Sequence, residues 1–387
     1  MLDNGFQHLR YKGTTYSTKQ KKFREIFVQE TFFQFLRYTL DETCSFPREM
    51  TDEEWRILYE IAQQQSLLGL LFDGMQRWME KGGARAKPPK GVLLKWYAVS
   101  ERIKAGNRKA NAVCAEVTGL FAESGFRTCI LKGQGNTLNY PSPFVRTSGD
   151  IDLWVEGGAK KVLDFLHGKR VCDHVAYHHA DAGSCRGIAV EVHYRPSFMA
   201  NPVHNRRMQK WFRMVQEEQF SHKVHLPEED GSVCVPTHAF NRIYQLAHIY
   251  KHIIQEGVGL RQIVDYYFVL KQGFTEEERV HDEHLLRQLG LYEVATAVVW
   301  VLKKTLGLEE RLQIVAPNEK LGSFLLDEIM QSGNFGQYDQ RVKHGGSQWE
   351  RNLQRLQRDR RLMWYFPSEC LWEPIFRWYH FFWRLRH

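Results

Sequence analysis

The chain has 387 residues, of which 43% are hydrophobic and 13% aromatic, and its formal net charge is +8. This composition predicts a folded protein of two or three domains and excludes an intrinsically disordered chain. The longest apolar runs fall far short of the ~18–20 residues that span a bilayer, and the first residues lack the apolar segment of a signal peptide. None of the seven cysteines forms a Cys-x-x-Cys pair, so we expect reduced thiols and a cytoplasmic location. The positive charge favours an anionic partner such as a nucleotide or nucleic acid.

The N-terminal part of the chain predicts helices. Residues 1–20 are polar and predict a flexible arm, after which apolar residues recur at helical spacing. Thr51 followed by Glu54 is a capping-box pattern, and residues 91–123 predict one long helix. We therefore expect a helical region over residues 21–120.

Two aspartates stand in an otherwise apolar run. In a β-strand Asp150 and Asp152 point to the same face as Trp154, while Ile151 and Leu153 supply the other, buried face. Two carboxylates about 6.5 Å apart repel by roughly 2.5 kcal/mol at an effective dielectric of ~20. A cation removes that cost, and this spacing suits a pair of Mg²⁺ ions about 3.5–4 Å apart.

The same alternation recurs further along the chain. Residues 188–194 predict a second strand, on which Glu191 and His193 share one face. If this strand pairs with the first, Glu191 becomes the third acid of a metal site. His193 is then either a substrate contact or a structural histidine.

A glycine-rich turn precedes the acidic strand. The short apolar strand Cys129–Leu131 leads into a predicted helix through Lys132, Gly133, Gln134 and Gly135. A strand, a glycine turn and a helix N-terminus place backbone N–H groups where phosphate oxygens can bind. Lys132 either pairs with a phosphate or merely flanks the strand. Arg146 either binds a phosphate through two hydrogen bonds or pairs with one of the two aspartates.

Histidines and cysteines cluster in the predicted hairpin between the two strands. The hairpin contains residue types that bind zinc, but their spacing matches no standard zinc finger. They are Cys172, His174, His178, His179 and Cys185. The sequence therefore favours histidines on the surface of a strand over a zinc site.

From Pro236 onward the chain predicts helices. His248 and His252 lie four residues apart on one helix, and Arg261 and Asp265 lie four apart on the next. The first pair suits metal or substrate contacts, the second an ion pair, and both suit hydrogen bonds between helices.

The end of the chain, residues 350–387, mixes arginine with aromatic residues. The aromatic residues surround the predicted last helix, which favours packing into the body of the protein or a subunit interface. Binding to single-stranded nucleic acid or to a membrane surface stays open.

These motifs resemble the polymerase-β superfamily, in which a strand, a glycine turn, a helix, an Asp-x-Asp strand and a strand with a single acid follow one another. Within it, the chain is similar to the bacterial family of uncharacterised nucleotidyltransferases. The AbiEii-type toxin nucleotidyltransferases share the Lys-Gly turn and the Arg-x-Ser-x-Asp-x-Asp run. Many members of the superfamily have Gly-Ser or Gly-Gly where this chain has Gly133-Gln134. The matching residues are Leu131-Lys132-Gly133, Tyr140-Pro141, Arg146, Asp150-Ile151-Asp152-Leu153 and Glu191-Val192-His193, with a fainter match at His248, His252, Gly259-Leu260-Arg261 and Asp265.

The resemblance implies an α+β fold. Its polymerase-β-like core, a small mixed sheet with flanking helices, would cover residues 121–235. A C-terminal helical domain would cover residues 236–387.

The resemblance also implies an activity. An NMP would move from an NTP such as ATP to an acceptor hydroxyl of tRNA, a protein or a small molecule, and pyrophosphate would leave. Two Mg²⁺ ions, or Mn²⁺ in their place, would assist. The alternatives are a catalytically silent nucleotide- or RNA-binding module and an interaction protein of a toxin or defence system. The implied catalytic metal ligands are Asp150, Asp152 and Glu191, and the implied nucleotide contacts are Lys132, Gly133, Gln134, Gly135, Arg146 and His193.

Overall fold

The computed structural model describes residues 24, 26–41, 43–46, 48–81, 87–342 and 347–385. It has the predicted α+β fold, in which a five-stranded sheet stands among helices. The flexible arm predicted for residues 1–20 lies outside the described residues. Within the described part of the chain, no helix is long and apolar enough to cross a membrane.

Among the described residues, four helices come before the sheet, and a π-helical turn leads into the first of them. The predicted capping box of Thr51 and Glu54 starts the second helix. The predicted long helix is confirmed and has 34 residues. The bounds are Val28–Phe32 for the π-turn, Phe33–Leu40 for α1, Asp52–Gln64 for α2, Leu68–Glu80 for α3 and Lys90–Glu123 for α4.

The sheet is mixed. Its strand order is β1-β2-β5-β4-β3. The pair β2/β5 is parallel, and the other three pairs are antiparallel. The bounds are Thr128–Ile130 for β1, Gln134–Thr137 for the short helix α5, Ile151–Val155 for β2, Gly158–Lys169 for α6, His174–Val175 for β3, His179–Cys185 for β4 and Ile188–His193 for β5.

Both faces of strand β2 are covered. On one face Leu153 packs in a core cluster with Val117 of α4. On the other, the Trp154 ring lies 4.7 Å from that of Phe220 and 6.0 Å from that of Phe240. Trp154 therefore lies on the face opposite Ile151 and Leu153, as predicted, but aromatic side chains of later helices cover that face at Trp154. On this face, Asp150 and Asp152 lie at the start of the strand, before the part that the aromatic side chains cover.

After β5 the described residues form helices and one small hairpin, and those from Pro236 onward are largely helical, as predicted. Thr237 caps α8 as expected, its hydroxyl accepting from the Phe240 N–H. The elements are α7 (Pro202–Gln219), β6 (Lys223–His225), β7 (Ser232–Cys234), α8 (His238–Gln255), α9 (Leu260–Lys271), α10 (Glu276–Leu289), α11 (Tyr292–Val301), a π-turn (Leu302–Leu306), 3-10 turns at Glu310–Leu312 and Asn334–Gly336, α12 (Glu319–Ser332), α13 (Gln348–Leu362) and α14 (Pro367–Arg384).

The last helix is aromatic on both its inner and outer faces. Phe376 and Trp383 pack into the core cluster that also holds Leu153. On the outer face, Trp378 and Phe382 expose 68% and 55% of their surface. Packing into the body of the protein is thus confirmed for one face of the helix.

Candidate active site

The strand register places polar side chains in two rows on one face of the sheet. Glu191 on β5 stands opposite Asp152 on one side and opposite Asp181 on the other. In the next row, His193 stands opposite His179. Residues two apart on a strand share a face, so a row of three carboxylates lies beside a row of two imidazoles.

Side-chain contacts join the members of these rows. The Nε2 atom of His193 lies 2.9 Å from Oδ1 of Asp152 and 3.4 Å from Oε2 of Glu191. Lys132 Nζ lies 2.7 Å from the same Asp152 oxygen. Asp150, directly before β2, is close enough to Asp152 and Glu191 for their negative charges to raise its pKa. The predicted strand pairing therefore brings the three acids together, and their role as metal ligands stays a prediction.

The charges in this cluster shift one another. The negative charge of Asp152, and then burial, raise the pKa of Asp150 to about 6, although Lys132 acts in the opposite direction. Burial alone would raise the pKa of Asp152, but Lys132 and His193 outweigh it and the net pKa is lowered. For Glu191, burial is likewise outweighed by the hydrogen bond from His193, and the pKa falls to about 2. One acid thus titrates near neutrality while its two neighbours stay ionised.

This difference predicts how cation binding depends on pH. Below its pKa of about 6, Asp150 carries a proton that a bound divalent cation must displace. We expect the affinity for Mn²⁺ to weaken as the pH falls through 6, approaching ~tenfold per pH unit. Calorimetric titration of Mn²⁺ at several pH values measures this slope. The Asp150→Asn variant should lack it, and a wild-type affinity that does not change with pH contradicts the assignment.

The glycine turn is only partly arranged as predicted. Gly133 has φ +51° and ψ −108°, a conformation that glycine adopts readily, and the helix after it has four residues. The Gln134 side chain is buried and donates to Asn111 and to the Asn107 carbonyl of α4. The Gly135 N–H donates to the Lys132 carbonyl at 3.0 Å. These groups are engaged within the protein, so phosphate binding by the turn stays a prediction that rests on Lys132 and Gly133.

Arg146 forms a buried network with residues outside the acid cluster. Its Nε and Nη2 donate to the two carboxylate oxygens of Asp265 at 2.7 and 2.8 Å. The Tyr140 hydroxyl donates to the same carboxylate at 2.6 Å. The expected pairing of Arg146 with Asp150 or Asp152 is wrong, because Asp265 of α9 supplies the carboxylate. The role of Arg146 as a phosphate contact stays a prediction.

The ion pair of Arg261 with Asp265, one of the two roles that the sequence left open, is replaced by other contacts. The Arg261 Nη1 donates to the Thr147 carbonyl at 3.0 Å, and its guanidinium lies 5.3 Å from the centre of the Phe335 ring. Its pKa is lowered to about 10, first by burial and then by the charge of Arg146. Arg261 therefore fixes the loop that leads into β2 instead of pairing with Asp265.

Two of the three hairpin histidines are not on the surface. His178 is only 6% exposed and His179 is half-buried. Their rings lie 5.4 and 5.2 Å from the ring of His193. The surface prediction is wrong for these two because β4 lies inside the sheet, between β5 and β3, whereas His174 is exposed as predicted. Burial lowers the pKa of both histidines, that of His179 to about 3, so both rings are neutral at neutral pH.

Helix α8 supplies one wall of the site. Lys251 Nζ lies 3.1 Å from His178 Nε2. The rings of His248 and His252, 4.3 Å apart, are buried on the same helix. The predicted site did not include Lys251 and Asp181. Their spacing could have indicated them, because Lys251 follows His248 by three residues on a helix and Asp181 follows His179 by two on a strand.

The donor set fits a divalent cation. One ligand atom each of Asp152, Glu191 and His193 lie within 4.8 Å of one another. Carboxylate oxygens are the ligands that Mg²⁺ prefers. The Lys132 ammonium is already drawn to this cluster by the charges of Asp152, Asp150 and Glu191, which shows that the acids attract positive charge.

Comparison with known proteins gives one match. A family model described as "Uncharacterised nucleotidyltransferase" matches residues 51–307. This span is well over half of the chain, and it contains the sheet, the glycine turn and helix α8. No curated protein and no solved structure matches the chain. The chain therefore belongs to the family of uncharacterised nucleotidyltransferases.

Proposed function

We propose that this protein is a metal-dependent nucleotidyltransferase that moves a nucleoside monophosphate from an NTP to an acceptor hydroxyl and releases pyrophosphate. One observation carries the proposal. Asp150, Asp152 and Glu191 come together from two paired strands, beside the Lys132-Gly133 turn, in a member of a nucleotidyltransferase family.

The metal site of this proposal consists of Asp150, Asp152 and Glu191. A pair of Mg²⁺ ions held there, or Mn²⁺ in their place, would neutralise the triphosphate and the leaving pyrophosphate and would lower the pKa of a bound hydroxyl. The protein's own groups must hold the phosphates and the acceptor in line and receive one proton.

The proton of the acceptor hydroxyl would leave beside the metal. Cations held by Asp150, Asp152 and Glu191 keep these carboxylates ionised, so the pKa of about 6 for Asp150 applies to the site without a cation. A bound cation lowers the pKa of the hydroxyl itself, and Glu191, or the metal alone, would help to remove its proton.

Two lysines are placed to receive the phosphates. Lys132 and Lys251 face the acids from the turn and from α8. The pKa of Lys251 is lowered, first by burial and then by the charge of Lys132. Two ammonium groups that repel each other are stabilised by a polyanion between them. We therefore assign both lysines to the triphosphate.

This assignment predicts the effect of Lys251→Met. A hydrogen bond to a charged group contributes about 1.5–3 kcal/mol, so kcat/KM for the NTP should fall by ~10–150-fold. Steady-state kinetics with the NTP as the varied substrate measures the loss. Lys210→Met, on an exposed position of α7, is the matched control and should be unchanged. Equal kinetics of the two variants would reject the role of Lys251.

The direct test of the proposed function is incubation of the protein with each labelled NTP, Mg²⁺ and a cell extract. Release of pyrophosphate together with a labelled product is the expected result, and the product identifies the acceptor. Binding of an NTP without its consumption, in both Mg²⁺ and Mn²⁺, would instead show a silent nucleotide-binding module.

The alternative of an interaction protein needs point variants on α14. Phe376 stacks on Phe198 at 4.7 Å, and Phe198 lies 4.9 Å from the ring of His178. Truncation of the last helix would therefore disturb the hairpin of the site. Trp378→Ser changes only the outer face of the helix. If that variant lost a cellular effect while nucleotide turnover continued, the outer face would be the working surface.

A further inference from the structure

The row of acids continues past the three that the proposed function uses. Asp181 of β4 stands opposite Glu191, on the side away from Asp152. The His179 ring lies between them, with Nε2 3.4 Å from Asp181 Oδ1 and Nδ1 3.9 Å from Glu191 Oε2. One ligand atom of each of these three residues lies within 4.8 Å of the others.

Backbone pairing between strands holds His179, Asp181 and Glu191 in place. Antiparallel pairing of β4 and β5 fixes Asp181 opposite Glu191 and His179 opposite His193. Directly after Asp181 the register shifts, in a bulge that contains Gly183 with φ +73°. Bulges re-aim side chains and are frequent beside functional sites. The placement of Asp181 therefore follows from strand pairing and not from a mobile loop.

The donors at this end of the row differ from those at the other. The Asp152 end is occupied by the Lys132 ammonium, whereas Asp181 faces the neutral imidazole of His179. A second imidazole group, formed by His178, His179 and His193, also has its ligand atoms within 4.8 Å of one another. Imidazole nitrogen is thus concentrated on this side of Glu191.

We propose that His179, Asp181 and Glu191 form a second cation site that takes a first-row transition-metal ion. Imidazole nitrogen suits late first-row ions such as Ni²⁺, Cu²⁺ and Zn²⁺, for which Co²⁺ is a spectroscopic probe, whereas Mg²⁺ and Mn²⁺ prefer oxygen ligands. The site is distinct from the Asp150–Asp152 site and shares only Glu191 with it. An ion there holds the Glu191 carboxylate in a fixed position and links the hairpin to the catalytic strands. The site does not depend on nucleotide transfer, since its ligands are set by the sheet.

Titration of the full-length, chelator-treated protein with Co²⁺ tests the site. A saturating excess of Mg²⁺ is present throughout, so that oxygen-only sites are filled. The visible d–d absorption of Co²⁺ reports nitrogen coordination and needs no enzyme activity. We expect one equivalent of Co²⁺ to bind with this signature, and Zn²⁺ to displace it.

Matched variants assign the ligands. His179→Gln and Asp181→Asn should each weaken Co²⁺ binding by at least ~10-fold. His174→Gln and Asp173→Asn, at exposed positions in the same hairpin, should leave it unchanged. Asp181 is partly exposed, so thermal melting should show that Asp181→Asn remains folded and that its loss is a loss of a ligand.

Two results would overturn the inference. One is displacement of Co²⁺ by Mg²⁺, because the two ions would then share an oxygen site. The other is Co²⁺ binding that does not respond to either ligand variant. A separate measurement of NTP turnover distinguishes the two proposals. If turnover is absent while Co²⁺ binding depends on His179, the proposed nucleotidyltransferase activity is refuted and the second cation site is not.

Discussion

Asp150→Asn should lower Mg²⁺-dependent pyrophosphate release by about three powers of ten or more, with the fold intact. Neutralising transition-state charge through a metal contributes several kcal/mol, and about 4 kcal/mol corresponds to ~10³ in rate. Asp150 is an exposed residue directly before β2, and its substitution removes a negative charge that repels Asp152, so the fold should stay intact. Steady-state turnover and a thermal melt of the same preparation measure both parts of this prediction.

Asp152→Asn should lose activity to a similar extent but also lose stability. Asp152 is 3% exposed and is the ion-pair partner of Lys132. Removing one partner of a buried ion pair costs about 3–5 kcal/mol, because the other charge is left unpaired. The double variant Lys132→Met, Asp152→Asn removes both charges and should recover much of the stability without recovering activity.

Asp164→Asn, on an exposed position of α6, is the control for these substitutions. It should match the wild type in both rate and melting temperature. Wild-type turnover in the Asp150 and Asp152 variants would contradict the catalytic assignment. Unchanged stability in Asp152→Asn would contradict the buried pairing with Lys132.

Arg146→Ala should destabilise the protein by about 3–5 kcal/mol, because it leaves the Asp265 carboxylate buried with its main counter-charge removed. Arg146 and Asp265 are 6% and 4% exposed, and two hydrogen bonds join them. The network ties the loop before β2 to helix α9. Urea unfolding of the variant should show a lower midpoint with a similar slope.

The pH dependence of stability adds a check on this network. Burial alone would raise the pKa of Asp265, but Arg146 outweighs it and the net pKa is lowered. A lowered folded-state pKa contributes stability above the unfolded value near 3.9, and this stability is lost as the pH falls through the folded value. The destabilisation by Arg146→Ala should therefore be full at neutral pH and shrink in acid.

The same variant separates two roles of Arg146. If the guanidinium contacts a phosphate during the reaction, Arg146→Ala raises KM for the NTP with little change in the unfolding midpoint. If it is a structural tie, stability falls first, and Arg146→Lys, which cannot form both hydrogen bonds in the same plane, recovers only part of it. We expect the second outcome.

Period-two alternation was enough to predict the centre of the site. It places Asp152 and Glu191 on strand faces, and the observed parallel pairing sets them opposite each other. Helix caps at Thr51 and Thr237 were also readable, because a cap depends only on neighbouring residues. These features are local or periodic, so the sequence alone carries them.

The contacts that the sequence did not predict join distant parts of the chain. Arg146 and Asp265 are 119 residues apart, and Lys251 meets His178 across 73 residues. No spacing rule connects such pairs. Trp154 shows the same limit, since its strand pattern indicates an open face that aromatic side chains from later helices cover.

Anomalous diffraction from crystals soaked with Mn²⁺ and a non-hydrolysable NTP analogue would locate the metal and the nucleotide in one experiment. We expect a manganese peak bound by carboxylate oxygens of Asp150, Asp152 and Glu191, with the triphosphate against it. A nucleotide bound elsewhere, or no manganese at these three side chains while the nucleotide is present, would contradict it.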